Sequence, residues 1–118
     1  MKLDLDWKMV RSELWPEIQY EIRPLRVWAF QELVSCWETR ENRKDLSPTI
    51  GAELMATLKK IFPEHLRNIS GLTLVQDGKS REATPESICE ETALMPLAGE
   101  IFSRLIALSE VGQSTGKK

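Results

Sequence analysis

Apolar residues recur at helical spacing in three segments of this 118-residue sequence, and this periodicity constrains the fold more than any other feature. Residues three and four positions apart lie on the same side of an α-helix, so each segment predicts a helix with one buried face. We expect the three faces to pack together into one core. The three stripes are Val27, Phe30, Val34 and Trp37, with Leu33 beside them; Ile50, Leu54, Leu58 and Ile61; and Leu97, Ile101, Leu105 and Leu108.

Prolines and capping residues set the expected ends of the helices. Pro24 suits the first turn of the first long helix, which should end near residues 41–42. Ser47-Pro48 and Thr84-Pro85 each combine an N-cap residue with proline at the first helical position. Residues 64–69 are expected to add one or two helical turns after Pro63. Met95-Pro96 predicts a break, since the residue before proline is pushed away from helical angles.

Outside these helices, two regions show strand signals. Ile18 to Ile22 alternates apolar and polar residues, which is typical of a half-buried strand, and Leu3 to Asp6 offers one possible partner, a pairing that the sequence leaves open. Asp6 to Trp15 has the spacing of a short helix. Leu72 to Val75, followed by the turn signal Asp77-Gly78, predicts a small hairpin or an exposed loop.

These signals together predict a mainly α fold, a small helical domain of four to six helices with a minor N-terminal strand pair or hairpin. Residues 1–112 are expected to form this single domain, and residues 113–118 a flexible C-terminal tail. A content of 42% hydrophobic and 29% charged residues is the balance of a globular chain.

The charge pattern and the cysteine content bear on location and partners. The net charge is −2, with both signs interspersed, whereas binding to nucleic acid needs a clustered basic face. The two cysteines, Cys36 and Cys89, form no CxxC pair and favour a reducing compartment. No uninterrupted apolar run reaches the ~18 to 20 residues of a membrane span. We therefore expect a cytoplasmic protein without a membrane or nucleic-acid partner.

Motifs of catalysis, cofactors and metals are missing from the sequence. His65 is the only histidine, so a histidine pair for zinc cannot form, and its neighbours predict a surface position. Gly78-Lys79-Ser80 fails the phosphate-loop pattern because Thr73 stands where that pattern needs glycine. The adjacent Glu90 and Glu91 would point about 100° apart on a helix and cannot act as a carboxylate pair. We expect no enzymatic activity, no cofactor and no metal.

Binding to other proteins remains, and large apolar residues are its candidates. The sequence has four tryptophans, all in its first third. They either enrich the core in aromatics, or leave Trp15 or Trp28 partly exposed as a partner anchor. The last helix has an unusually wide apolar face that includes Phe102 and Ile106, which indicates either deep burial or an oligomer contact. The candidate partner-binding residues are Trp15, Trp28, Phe102 and Ile106.

The sequence also resembles a known family in two regions. Tyr20-Glu21-Ile22-Arg23-Pro24-Leu25, running into a helix with Phe30-Gln31-Glu32-Leu33, is similar to the opening of the small tail assembly chaperones of long-tailed bacteriophages and prophages. The segment from Phe62 to Leu72, with Arg67 before Gly71, resembles a later element of that family. The turn at Asp77-Gly78-Lys79 and the helix start at Thr84-Pro85-Glu86 follow in the family's order.

This resemblance implies a protein made in the cytoplasm of the infected host cell and absent from the virion. It would bind the tape-measure protein, keep its helical and apolar segments soluble, and recruit tail-tube subunits. Homo-oligomerisation is a further possibility. The alternatives are a structural phage component, such as a connector or tail-completion subunit, and a small DNA-binding regulator.

Overall fold

The computed structural model describes the backbone of residues 4–42 and 48–115, and the side chains of residues 4–36 and 53–109. The described residues form four α-helices and two antiparallel sheets, so the expectation of a mainly α domain is wrong and the fold is mixed α and β. The elements in chain order are β1 (Lys8–Arg11), β2 (Gln19–Ile22), α1 (Val27–Asn42), α2 (Pro48–His65), β3 (Leu66–Ser70), β4 (Thr73–Gln76), β5 (Lys79–Glu82), α3 (Pro85–Glu90), a 3₁₀ turn (Thr92–Leu94) and α4 (Met95–Thr115).

The first error in the prediction concerns the expected helix over Asp6 to Trp15, where the chain forms strand β1 instead. β1 pairs antiparallel with β2, and Val10 lies opposite Tyr20. The spacing of apolar residues in this segment fits a helix, but backbone pairing with β2 decides the outcome. The partner of β2 is thus Lys8–Arg11, while residues 4–6 precede the strand.

The second error concerns residues 64–69, which were expected to be helical. α2 continues through Pro63 to His65, and β3 begins at once with Leu66. Leu66 pairs with Ile22 of β2 and is fully buried. Pro63 lies inside α2 and removes one helical hydrogen bond, but the helix continues for two more residues. The chain then leaves α2 because pairing with β2 buries Leu66.

Gly71 ends β3 in a conformation that only glycine fits. Its φ is +78°, and a Cβ at this position would lie 1.8 Å from the carbonyl oxygen of Glu17. The residue therefore terminates a strand against the β1–β2 connection.

Predictions that depend on local chemistry are confirmed. β4 and β5 form a hairpin around Asp77 and Gly78, whose φ values of 54° and 75° fit a type I′ turn. Thr84 caps α3: its hydroxyl accepts a hydrogen bond from the Ser87 backbone N–H at 3.2 Å, and the Ser87 hydroxyl accepts one from the Thr84 N–H at 2.8 Å. α2 begins at Pro48, while Ser47 lies outside the described residues.

The core lies between the three-stranded sheet and helices α2 and α4. Burial of a large aliphatic or aromatic side chain contributes roughly 1.5–3 kcal/mol, so these residues supply most of the driving force for folding. The largest side chains with no measurable exposure include Tyr20 of β2, Ile61 and Phe62 of α2, Leu66 of β3, Ile88 of α3, and Leu97, Ile101 and Leu105 of α4.

α4 is the most apolar helix and the longest. It starts at Met95, with Pro96 in its first turn, and runs to Thr115, so residues 113–115 are helical although they were expected to belong to the flexible tail. By length and composition, Thr92–Ser109 would suffice to cross a membrane, with a mean hydropathy of 1.2. Leu97, Ile101 and Leu105 of this segment lie in the core, and 28% of the segment is buried within the fold.

Candidate protein-binding surface

An apolar stripe on α1 faces away from the core. Val27 is 74% exposed, Phe30 36% and Val34 39%, whereas Ala29 and Leu33 are buried. The sequence pattern predicted that the first three residues would be core, and this prediction is wrong. Trp37 continues the same spacing, but its side chain lies outside the described residues. We call Val27, Phe30 and Val34 the outward stripe.

α1 turns a different face to the core from the one expected, because it has a second apolar face made of smaller residues. Ala29 and Leu33 are four residues apart, and the half-buried Cys36 follows at the next helical position. At 3.6 residues per turn, this face lies roughly 110° from the outward stripe. A small side chain such as alanine allows a neighbouring element to approach closely, and α1 packs on α2. The helical spacing of Ala29, Leu33 and Cys36 is visible in the sequence, but the outward stripe has larger apolar residues and was therefore predicted to be the core face.

His65, at the end of α2, fixes the start of α1. Its Nδ1–H donates to the Ile61 carbonyl at 2.7 Å, and its Nε2 accepts the backbone N–H of Arg26 at 3.0 Å. Burial lowers the pKa of His65, with further lowering from Arg23 and Arg26, so the neutral ring is the stable form. The expectation of a surface histidine is wrong, since His65 is fully buried.

Three further hydrogen bonds hold the same segment. The Arg23 Nε–H donates to the Glu64 carbonyl at 2.6 Å, and the Leu25 N–H donates to the Ser109 hydroxyl at 3.0 Å. The Trp28 indole N–H donates to the Glu64 carboxylate at 3.3 Å. α2 and α4 therefore both fix the rotation of α1, and the outward stripe is a constrained feature of the fold.

The four predicted partner-binding residues fall at different places. Trp28 is 39% exposed and tilts against the His65 ring, with the ring centroids 6.1 Å apart. Trp15, Phe102 and Ile106 are half-buried and pack against the core. No hydrogen bond or ring contact among the described side chains joins Trp28 to the other three. Of the four, Trp28 alone lies on α1, where its ring packs towards His65 and Glu64 of α2.

A polar cluster holds the turn after β1 against α4. The Glu100 carboxylate accepts hydrogen bonds from the Glu13 N–H at 2.7 Å, the Tyr20 hydroxyl at 2.9 Å and the Ser12 hydroxyl at 3.2 Å. Burial raises the pKa of Glu100, but these hydrogen bonds outweigh it and leave the pKa below its usual value. Arg104 adds a bond to the Arg11 carbonyl at 2.7 Å. The cluster therefore holds the turn after β1 in place against α4.

An open groove of about 530 Å³ lies beside this cluster, along α4. Its floor carries the small residues Gly99, Ser103 and Ala107. Burial, with the hydrogen bond to Glu100, raises the pKa of Tyr20 well above its usual range, so its phenol stays protonated. The charged groups at the groove, Glu100 and Arg104, already bond to the backbone around the turn after β1, so their role is structural. Among the described side chains, no group of three His, Cys, Asp or Glu residues is placed to hold a metal ion.

The three-stranded sheet carries a set of paired charged and aromatic side chains on its exposed side. The Trp7 ring lies between the guanidinium groups of Arg67 and Arg23, at 4.2 and 4.7 Å from its centroid. The Arg67 Nε–H also donates to Glu21 at 2.9 Å, and this contact lowers the pKa of the Glu21 carboxyl. These contacts join β2 to β3 and hold Trp7, just before β1, against both.

Comparison of the chain with protein families, with curated proteins and with solved structures found no match. Among the surfaces described above, the outward stripe is the one on which several large apolar side chains share one rigid element.

Proposed function

We propose that this chain is a bacteriophage-type tail assembly chaperone that binds apolar helical segments of the tape-measure protein through the outward stripe. The observation that carries the proposal is the exposure of Val27, Phe30 and Val34 on a helix whose rotation is fixed. Contiguous exposed apolar residues on an otherwise polar surface mark interaction sites in globular proteins.

The spacing of the stripe favours a helical partner. Positions 27, 30 and 34 repeat with intervals of three and four residues, and Trp37 extends the series. This is the pattern by which one helix packs its apolar face along another. Tape-measure proteins contain long helical and apolar segments, as the family resemblance implies, so the surface and the proposed partner have matching chemistry.

The proposed role also requires release, because a chaperone must leave as the tail tube assembles. A narrow stripe of three side chains on one helix offers a small contact area, and small interfaces favour weak, transient complexes. Recruitment of tail-tube subunits and residence in the host cytoplasm are parts of the same proposal.

The test is co-expression with the tape-measure protein of the same phage or prophage. We expect the tape-measure protein to become soluble and to co-purify with this chain. The double variant Phe30→Ser, Val34→Ser should lose at least about tenfold in affinity, because hot-spot residues cost about 2 kcal/mol or more and 1.4 kcal/mol is tenfold.

Met9→Ser is the matched control, since Met9 is 63% exposed but lies on β1. It should bind like the unmodified chain. Equal insolubility of the tape-measure protein with and without this chain would contradict the proposal. Stoichiometric amounts of the chain in purified virions would favour a structural phage component.

A further inference from the structure

The hairpin β4–β5 forms a sheet of its own with only two strands. Among the described residues, no backbone hydrogen bond joins either outer edge of the hairpin to another element. Two-stranded hairpins are marginally stable in water, and a third or fourth strand normally supports them. Val75, near the tip, is 70% exposed. Both edges are thus available for pairing.

The register shows which backbone groups point outward. Gln76 pairs with Lys79 across the two-residue turn, so these two form the first hydrogen-bonded pair. Antiparallel pairs alternate between bonded and non-bonded, which makes Val75 and Ser80 a non-bonded pair. The N–H and C=O of Thr73 and Val75 therefore point away from β5, and those of Ser80 and Glu82 point away from β4.

Charge protects the β5 edge against pairing with a second copy. An antiparallel contact must join outward-pointing residues to each other. Three registers are possible. Pairing Ser80 with Glu82 of the second copy sets Arg81 opposite Arg81, and pairing Ser80 with Ser80 sets Lys79 opposite Arg81. Pairing Glu82 with Glu82 sets two carboxylates opposite each other. Like charges directly opposite each other are destabilising, and charged residues are a common protection of edge strands.

The β4 edge has no such protection. Residues 72–76 carry no charge. Pairing Thr73 with Val75 of the second copy, and Val75 with Thr73, forms two bonded pairs with about four backbone hydrogen bonds. Leu74 then lies opposite Leu74 of the second copy in the closer, non-bonded pair. The strand is electrostatically compatible with itself in this register.

We propose that β4 is the contact strand of a two-fold dimer of this chain, in which the two β4 strands pair antiparallel into a continuous four-stranded sheet. In that sheet both outer edges are β5, and both carry the charged pattern that opposes further pairing. The dimer therefore closes on itself, as most homo-oligomers do. It is independent of the proposed function, since the outward stripe lies on α1.

Light scattering on the purified full-length chain tests this dimer. We expect twice the monomer mass for the unmodified chain and monomers for Val75→Pro, which removes an outward N–H without removing a bond to β5. Ser80→Pro is the matched control, because it removes the equivalent N–H from the β5 edge. It should remain dimeric, and circular dichroism should show that both variants are folded.

Disulfide trapping tests the register. In a Cys36→Ser, Cys89→Ser background, Leu74→Cys should cross-link to a dimer under mild oxidation, since residues of a non-bonded antiparallel pair lie about 4.5 Å apart at Cα, within disulfide range. Arg81→Cys, on the neighbouring strand, should stay largely uncross-linked.

Three results would overturn the proposal. The first is a monomeric unmodified chain. The second is an equal response of the dimer to Val75→Pro and Ser80→Pro, whether both dissociate or neither does. The third is growth into open polymers, which would indicate that β4 of one copy pairs with β5 of the next.

Discussion

α1 and α4 carry apolar stripes of the same spacing, yet the fold uses them in opposite ways. Leu97, Ile101 and Leu105 of α4 are completely buried, while Val27 of α1 is 74% exposed. The difference arises because α4 packs its wide apolar face into the core, whereas α1 packs with Ala29 and Leu33. Periodicity therefore identifies an apolar helical face but not what covers it.

The largest expected effect is on α4. Ile101→Ala should lower the free energy of unfolding by about 2–5 kcal/mol, because it removes a fully buried side chain and leaves a cavity. Urea denaturation measures this. A loss below about 1 kcal/mol would mean that Ile101 is not part of a packed core, and the contrast between the helices would fail.

The second-largest effect on stability is expected on the polar side of α4. Glu100→Ala should cost about 1.5–3 kcal/mol, because hydrogen bonds to a charged group are lost and the turn after β1 is released. The control is Glu90→Ala, which removes an exposed ion pair with Lys59 and should cost at most about 1 kcal/mol. Equal losses in the two variants would show that Glu100 is an ordinary surface residue.

The anchoring of α1 should depend on pH. The pKa of His65 is lowered in the folded state from 6.5, so the unfolded chain binds the proton first as the pH falls. The contribution of His65 to the free energy of unfolding is complete above about pH 6.5 and decreases as the pH falls toward the folded-state pKa. The total decrease is about 1.4 kcal/mol for each unit by which the folded-state pKa lies below the unfolded-state pKa.

Urea denaturation from about pH 7.5 to pH 5.5 measures this dependence. A protonated ring also cannot accept the Arg26 N–H, so the start of α1 should loosen in the same range. His65→Gln should lack the decrease near pH 6.5. Identical pH profiles for this variant and the unmodified chain would show that His65 does not cause the pH dependence of stability.

The smallest effect is expected on the outward stripe. Val34→Ala should change the free energy of unfolding by no more than about 1 kcal/mol, because the side chain is 39% exposed and loses only part of its burial. The same urea denaturation measures the change. A loss comparable with that of Ile101→Ala would show that α1 buries the stripe, and the basis of the proposed binding surface would be gone.

The sequence predicted those features that depend on a few neighbouring residues. The Asp77-Gly78 turn requires two residues that tolerate positive φ, and Thr84 before Pro85 provides a cap wherever the chain packs. The positions of α2 and α4 follow in the same way from periodicity and proline. These elements are stabilised by contacts within a few residues, so the sequence alone is informative.

Other features involve residues far apart in the chain. β1 is a strand because Val10 meets Tyr20, and β3 is a strand because Leu66 meets Ile22. The predicted site residue Trp28 packs against the His65 ring and donates to Glu64, both far along the chain. Local patterns carry no information about such pairings.

The sequence by itself located the starts of α2 and α3, the Asp77-Gly78 turn and the Thr84 cap, because these depend on backbone angles and on hydrogen bonds between near neighbours. It did not locate the start of α1, which begins at Val27 and leaves Pro24 outside the helix. Only the tertiary structure decided which apolar faces are covered and which segments pair as strands. Burial depends on the competition between faces for a limited core, and on α1 the smaller face of Ala29 and Leu33 occupies that core, leaving the larger residues exposed.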